Sequence, residues 1–164
     1  MWKERRGFSL IELVITIALL GILVGSAAVM FGYLRYADTK EAAERVNMEL
    51  SNLRIDTMSK TGDRKYLYIY LISGDGYYLR VLDKEPEDIE TQGMLNAEGT
   101  RLCGMNVTIS KSEGGGALSA SEPIWVAYTK SGLFFDGSAE CIEIRGRGTY
   151  TIRLDGVSGR HYFK

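Results

Sequence analysis

The stretch that decides the fold covers residues 8–34 and reads FSLIELVITIALLGILVGSAAVMFGYL. It has no charged residue from Leu13 to Leu34. As a helix rising about 1.5 Å per residue, that run is about 33 Å long, enough to cross the ~30 Å hydrocarbon core of a bilayer. Glu12 stands at its start, and because a charge near membrane depth is costly, this carboxylate marks a functional residue that needs a partner.

The charged residues on the two sides of this apolar stretch differ in sign. Lys3, Arg5 and Arg6 precede it, whereas acidic residues such as Asp38 and Glu44 follow it among few basic ones. An excess of basic residues on one side of a membrane span predicts that this side stays in the cytoplasm. The sequence therefore predicts a single-pass protein with a cytoplasmic N-terminus and an extracytoplasmic globular domain.

Residues 6–14, RGFSLIELV, resemble the type III signal of type IV pilins and pseudopilins. The resemblance implies that a prepilin peptidase, which is also the methyltransferase, cuts after Gly7 and leaves a methylated Phe8 as the first residue. It implies an α+β, pilin-like fold, in which a long N-terminal helix packs on a small antiparallel sheet domain. It also implies assembly with other pilin or pseudopilin subunits by a membrane assembly platform protein. The order of helix, hairpin and further strands is most similar to minor pseudopilins of the H type.

A physical argument from the residues themselves gives Glu12 a role in assembly. After cleavage, Phe8 would carry an α-ammonium group in an apolar setting, and Glu12 of a neighbouring subunit could neutralise it. A head-to-tail pairing between identical surfaces does not close on itself, so its repetition gives an open helical filament. A filament subunit is therefore the function that this carboxylate favours.

Two other functions remain open for the N-terminal segment. A conventional secretory signal peptide has the same basic start and apolar core, and residues 26–28 offer small side chains for its cleavage. It leaves the charge of Glu12 inside a discarded core unexplained. A single-span anchor for an extracellular binding module would let Glu12 reach the headgroups, but it leaves the junction of Gly7 and Phe8 unexplained.

Gly21 and Gly25 form a Gly-x-x-x-Gly pair inside the apolar stretch. Such a pair allows the backbones of two membrane helices to approach closely, although small residues are common in all membrane helices. Each glycine weakens a helix by about 1 kcal/mol relative to alanine. Since no proline lies between Phe8 and Lys60, any local melting on assembly would depend on glycine alone.

Beyond the span, the helix is predicted to continue as an amphipathic segment over residues 35–61. Apolar residues recur there at three- and four-residue steps, and Arg45 can pair with Glu41 or Glu49 on the other side. The stripe consists of Tyr36, Ala43, Val46, Leu50 and Leu53. The helix is predicted to end at Thr61-Gly62-Asp63, where glycine can form the cap. The predicted division of the chain is a leader at 1–7, a span at 8–34, this segment, and a sheet domain at 62–164.

Period-two alternation predicts antiparallel strands in the sheet domain. Three hairpins are expected, because glycine in the intervening turns accepts the positive φ that tight turns require. Their strands are Tyr66–Ile72 with Tyr77–Leu82, Ile124–Tyr128 with Leu133–Phe135, and 142–145 with 150–154. A further strand is expected to place Met105, Val107 and Ile109 in the core, and residues 83–99 and 112–121 are predicted as surface loops.

The two cysteines, Cys103 and Cys141, would lie outside the cytoplasm, where a disulfide can persist. Such a bond would contribute about 3 to 4 kcal/mol through the unfolded state. Cys103 shares a strand face with Val107, whereas Cys141 lies opposite Ile142. Alternation therefore leaves two possibilities, a disulfide or two separate thiols.

Several function classes find little support in the sequence. The formal net charge is −1, and about −3 without residues 1–7, so nucleic acid is an unlikely partner. The arginines near the C-terminus, Arg145, Arg147, Arg153 and Arg160, are interpreted as a solvated strand edge. The one histidine, His161, is interpreted as a surface residue, and the acidic run at 83–90 as a solvated loop. No enzyme activity, cofactor or metal is predicted.

Overall fold

The structure is a computed structural model and describes residues 9–59, 63–88, 95–96 and 98–164. By its internal contacts the chain divides after Leu34 into two compact units. The first unit contains the apolar helical segment, and the second contains the rest of the helix and all of the strands. This is an α+β fold of the pilin-like kind that the sequence predicts.

A single helix, α1, covers Leu10–Ser59 and is 50 residues long. This confirms the predicted long helix, which no proline interrupts. The predicted glycine stop cannot be compared with the structure, because Thr61 and Gly62 lie outside the described residues.

The outer part of α1 is amphipathic, as predicted, but Tyr36 of the predicted apolar stripe is 43% exposed. The side chains of its buried face are at most 3% exposed: Ala42, Ala43, Val46, Leu50 and Leu53. On the wet face, Arg45 pairs with Glu41 at 2.6 Å rather than with Glu49, and Lys40 pairs with Glu44 at 3.6 Å. Burial of one face therefore holds this half of the helix to the strands.

Within the described residues, eight strands form two four-stranded antiparallel sheets, which together make up the predicted antiparallel sheet domain. The first sheet has the order β3-β2-β1-β5, with β1 at Tyr66–Ile72, β2 at Gly76–Leu82, β3 at Thr100–Gly104 and β5 at Ile124–Ala127. The second has the order β4-β6-β7-β8, with β4 at Thr108–Ser110, β6 at Cys141–Arg145, β7 at Thr149–Asp155 and β8 at Arg160–Phe163. A short 3-10 turn covers Pro86–Asp88.

The main core lies between α1 and the two sheets. Leu50 of the helix, Ile69 of β1 and Ile144 of β6 all belong to one buried cluster. The other face of β1 carries tyrosines, and the segment after β2 covers them. Tyr68 donates a hydrogen bond to the carbonyl oxygen of Lys84 at 2.8 Å. Part of the predicted surface loop at 83–99 therefore packs on a sheet.

Two of the three predicted hairpins are confirmed, those of β1 with β2 and of β6 with β7. In the third, β5 is a strand, but only one isolated bridge, Tyr128 to Phe134, replaces the partner strand. The strands β3 and β8 were not predicted.

The prediction that Met105 lies in the core is wrong, because its side chain is 54% exposed. The chain turns after β3, where the N–H of Val107 donates to the carbonyl oxygen of Gly104 at 3.3 Å. The following strand, β4, therefore begins only at Thr108. The prediction treated Met105, Val107 and Ile109 as one strand, but Met105 lies on the other side of this turn, so the alternation does not extend to it.

Candidate membrane and assembly segment

The first turn of α1 is fixed by a side-chain cap. The N–H of Glu12 donates to Ser9 Oγ at 3.2 Å, and the N–H of Leu13 donates to the carbonyl oxygen of Ser9 at 3.2 Å. Ser9 is thus the N-cap, and Glu12 is the third helical residue. The spacing Ser-x-x-Glu is that of a capping box, a signal present in the sequence that the sequence analysis missed. Gly7 and Phe8 lie outside the described residues.

The carboxylate of Glu12 is exposed and makes no hydrogen bond or ion pair with another described residue. The nearest polar side chain along the helix, Thr16, uses its hydroxyl to donate to the carbonyl oxygens of Glu12 and Leu13, at 2.5 and 3.0 Å. A negative charge in the first turn is favourable, because the helix dipole is positive there. Glu12 is therefore held at a defined place with its charge still available to a partner.

The side chains after Glu12 form an apolar surface on all sides of the helix. Leu13, Ile17 and Leu20 are 55, 62 and 58% exposed. In the described part of the chain, the 18 residues Leu10–Ala27 are long and apolar enough to cross a membrane, and none of them is buried. So large an apolar surface requires lipid or protein around it.

The two glycines of this helix offer room for a close neighbour. Nothing lies within 4 Å of the place where a Cβ would stand on Gly21 or Gly25. The hydroxyl of Ser26 donates to the carbonyl oxygen of Leu23 at 2.9 Å, so it adds no unsatisfied donor. Close packing of a second helix at these glycines remains a prediction.

Residues 2–28 match the family model of the prokaryotic N-terminal methylation motif. The chain carries the N-terminal signal of type IV pilins and pseudopilins. The matched residues include Gly7, Phe8 and Glu12. No curated protein and no solved structure matches the chain significantly. Together with the apolar helix, the pilin signal supports a protein anchored in the membrane by a single span, and a structural subunit rather than an enzyme.

The two cysteines are free thiols in the structure. Cys103 belongs to β3 of one sheet and Cys141 to β6 of the other. Burial, with a smaller contribution from the charge of Asp38, raises the pKa of the Cys103 thiol to about 12. Burial also raises the pKa of Cys141, which is half-buried. Neither thiol is therefore activated as a nucleophile at neutral pH.

The interpretation of His161 as a surface residue is wrong. Its ring is half-buried between α1 and the strands, with Nε2 at 3.2 Å from Ser51 Oγ and Nδ1 at 3.4 Å from the hydroxyl of Tyr128. Burial lowers the pKa of the imidazole, and the nearby charge of Arg54 lowers it further. Pairing of β8 with β7 carries this residue against the helix, and the sequence contains no local signal of that pairing.

The four C-terminal arginines that the sequence marked are of two kinds. Two are paired with carboxylates, as Arg145–Glu143 at 2.5 Å and Arg153–Glu113 at 2.7 Å. The other two, Arg147 and Arg160, are exposed. Burial alone would raise the pKa of Glu143, but hydrogen bonds, first that from Arg145, outweigh it and lower the pKa. Within the described ranges, no three His, Cys, Asp or Glu side chains meet as a metal site.

Proposed function

We propose that the chain is the membrane-inserted precursor of a filament subunit, of a type IV pilus or a type II secretion pseudopilus. Prepilin peptidase cuts it after Gly7 and methylates Phe8. One observation carries the proposal. The carboxylate of Glu12 is exposed within an apolar helix that bears the N-terminal methylation motif, and no described residue pairs with it.

Assembly then follows from the electrostatics of the N-terminus. Each processed copy brings one carboxylate, Glu12, and one new α-ammonium group on Phe8. In an apolar environment each charge alone is costly, and removing one partner of such a pair costs about 3 to 5 kcal/mol. Because Ser9 fixes the first turn, Glu12 is presented at a constant position to the next copy. The exposed leucines and isoleucines of neighbouring helices cover one another.

The proposal includes an orientation and a set of partners. The N-terminus faces the cytoplasm, the globular unit lies outside, and the processed chain moves from the bilayer into a surface or periplasmic filament. Its partners are prepilin peptidase, other pilin or pseudopilin subunits, and a membrane assembly platform protein. An H-type minor pseudopilin remains the predicted subtype, and a long helix followed first by the β1–β2 hairpin supports it.

The N-terminal mass of the mature protein, purified from membranes, tests the processing step. The expected first residue is a methylated Phe8. A first residue of Met1 would contradict processing and favour the anchored binding module. A start near Ala27 or Val29 would favour conventional secretion instead.

Substitution of Glu12 tests the assembly step separately. The variants Glu12→Ala and Glu12→Gln are expected to insert into the membrane and to be processed, but to be lost from sheared filaments, because the α-ammonium group of the next copy has no partner. The matched control is Thr16→Ala, one turn further on, whose hydroxyl contacts only backbone carbonyls. Filaments in normal amounts from Glu12→Ala would refute the pairing.

A further inference from the structure

One end of the globular unit presents aromatic, apolar and basic side chains around α1 residues 36–39. We call it the basal surface and define it by Tyr36, Met105, Arg147 and Tyr150. The β6–β7 turn, residues 146–148, lies directly on the helix there. A Cβ on Gly146 would collide with Thr39 Oγ1, and a Cβ on Gly148 would stand 3.4 Å from the ring of Tyr36. The absence of side chains at Gly146 and Gly148 therefore allows the β6–β7 turn to lie against α1.

The β3–β4 connection lies at the same end of the second sheet. β4 pairs with β6 so that Thr108 faces Arg145, the residue just before the β6–β7 turn. Residues 105–107 precede Thr108, and the two turns are therefore neighbours. Met105, which is 54% exposed, belongs to the β3–β4 connection at the same end of the sheet as the turn that carries Arg147.

The aromatic members of the basal surface are ordered by contacts with one another. The hydroxyl of Tyr150 donates to that of Tyr36 at 3.0 Å, and their ring centroids are 6.5 Å apart. Phe163 also stacks on Tyr150, with centroids 5.6 Å apart and planes within 6°. Tyr36 and Phe163 are still 43% and 41% exposed. The rings of Tyr36, Tyr150 and Phe163 thus hold one another in place and still expose surface to a further partner.

The exposed cation described at this end is Arg147. Arg147 is exposed and makes no hydrogen bond or ion pair with any other described residue. The neighbouring charges are matched in the pairs Asp75–Arg101 at 3.2 Å, Glu44–Lys40 at 3.6 Å and Glu143–Arg145 at 2.5 Å. Asp38 is exposed and lies about 200° around the helix from Tyr36. Its charge acts on Cys103, two residues before Met105.

Covalent connection keeps Tyr36 close to the end of the uncharged run. Tyr36 comes two residues after Leu34, the last residue of the uncharged run, which is at most about 8 Å of chain. The polar layer on each side of the hydrocarbon core is about 5 to 8 Å thick. Tyrosine is enriched at this level of a membrane because its ring is apolar and its hydroxyl is polar.

We propose that the basal surface rests on the lipid headgroups while the subunit is held in the membrane. Arg147 binds lipid phosphate, Tyr36 and Tyr150 lie at the level of the headgroups, and Met105 enters the interfacial layer. A planar guanidinium suits phosphate, with which it forms two parallel hydrogen bonds. The inference rests on the membrane anchoring of the proposed function.

Depth measurement by electron paramagnetic resonance tests the contact. The full chain with Cys103→Ala and Cys141→Ser is reconstituted in vesicles of phosphatidylcholine and phosphatidylglycerol, with one nitroxide on Asn106→Cys. The control carries the nitroxide on Val157→Cys, an 89% exposed residue beyond the other end of β7. The label at 106 is expected to lose collisions with a water-soluble nickel complex and gain collisions with oxygen, relative to 157. Equal nickel collisions at both sites would overturn the proposal.

A charge reversal tests the role of Arg147. Arg147→Glu is expected to move the label at 106 toward water, whereas Arg160→Glu, an exposed arginine at the start of β8, leaves its depth unchanged. An unchanged depth in Arg147→Glu would refute the phosphate contact. Extraction with alkaline carbonate distinguishes failure of the membrane anchoring from failure of the headgroup contact. A chain that is washed off contradicts the anchoring itself, whereas an inserted chain with a wet label contradicts only the headgroup contact.

Discussion

The two halves of α1 place the same residue types in opposite surroundings. In the first half Leu20 is 58% exposed, whereas in the second half Leu50 is fully buried. Helix propensity does not distinguish them, and in proteins it contributes less to helix stability than packing does. The second half finds its apolar partner in the two sheets of its own chain. The first half must find one outside the chain, in lipid before assembly and in other copies afterwards.

The largest effect that tests this difference is expected from truncating a leucine in each half. Leu50→Ala should destabilise the globular unit by about 2 to 5 kcal/mol, because it removes transfer energy and leaves a cavity. Leu20→Ala should leave the unfolding of that unit unchanged, since its side chain contacts no core. The measurement is denaturant unfolding of the full chain in detergent micelles, followed by near-ultraviolet circular dichroism.

Equal shifts of the unfolding midpoint in the two variants would contradict this difference between the halves of α1. If Leu20→Ala shifted the unfolding midpoint as much as Leu50→Ala, the apolar half would contribute to the stability of the globular unit. The chain would then not need an outside partner for that half.

Features specified by neighbouring residues could be predicted from the sequence. The apolar run and the stripe at three- and four-residue steps predict α1. The turn before Gly76 could also be predicted from its glycines. Gly74 adopts a φ of +85°, which glycine accepts most readily. Glu12 was found because a charge in an apolar run is conspicuous without any tertiary information.

Features that depend on distant pairing could not be predicted. β8 has only four residues, RHYF, without apolar alternation, and it is a strand because Ile152 and Asp155 of β7 pair with it. β3 likewise depends on β2, through pairs such as Tyr77 with Cys103. The positions of Met105 and His161 follow from these strands, which is why both were assigned to the wrong surroundings.

A smaller effect is expected from a local stabiliser in the first half of α1, the cap by Ser9. Ser9→Ala should cost about 1 kcal/mol at the start of the helix, because the N–H of Glu12 loses its side-chain acceptor. Amide hydrogen exchange of Glu12 and Leu13 in micelles measures the fraying. Ser9→Asn should restore protection, since asparagine is an equally good cap.

The control for the cap is again Thr16→Ala, which removes a hydroxyl bonded to the carbonyls of its own helix. Its exchange at residues 12 and 13 should stay that of the original chain. Unchanged exchange in Ser9→Ala would show that the surrounding micelle, and not the cap, holds the first turn. The first half of α1 would then depend on its surroundings even at its capped end, which would increase its difference from the second half.

In the second half of α1, a polar contact to the sheets is expected to give a small dependence of stability on pH. Ser51 Oγ donates to the carbonyl oxygen of Asn47 at 3.0 Å, which leaves its lone pairs to accept from a ring N–H at Nε2 of His161, 3.2 Å away. In that tautomer Nδ1 is the acceptor that faces the hydroxyl of Tyr128, at 3.4 Å. A second proton on the ring would meet that hydroxyl and add a charge near Arg54. Burial and this charge both lower the pKa of His161 in the folded chain.

The sign of the effect follows from proton binding. The unfolded chain binds a proton at His161 with an ordinary pKa near 6.5, whereas the folded chain binds it only at lower pH. Stability should therefore be full above about pH 6.5, fall as the pH drops toward the folded pKa, and level off below it. Unfolding midpoints measured across this range should lose that step in His161→Gln. Since His161 is the only histidine, a step that persisted in His161→Gln would assign the titration to another group.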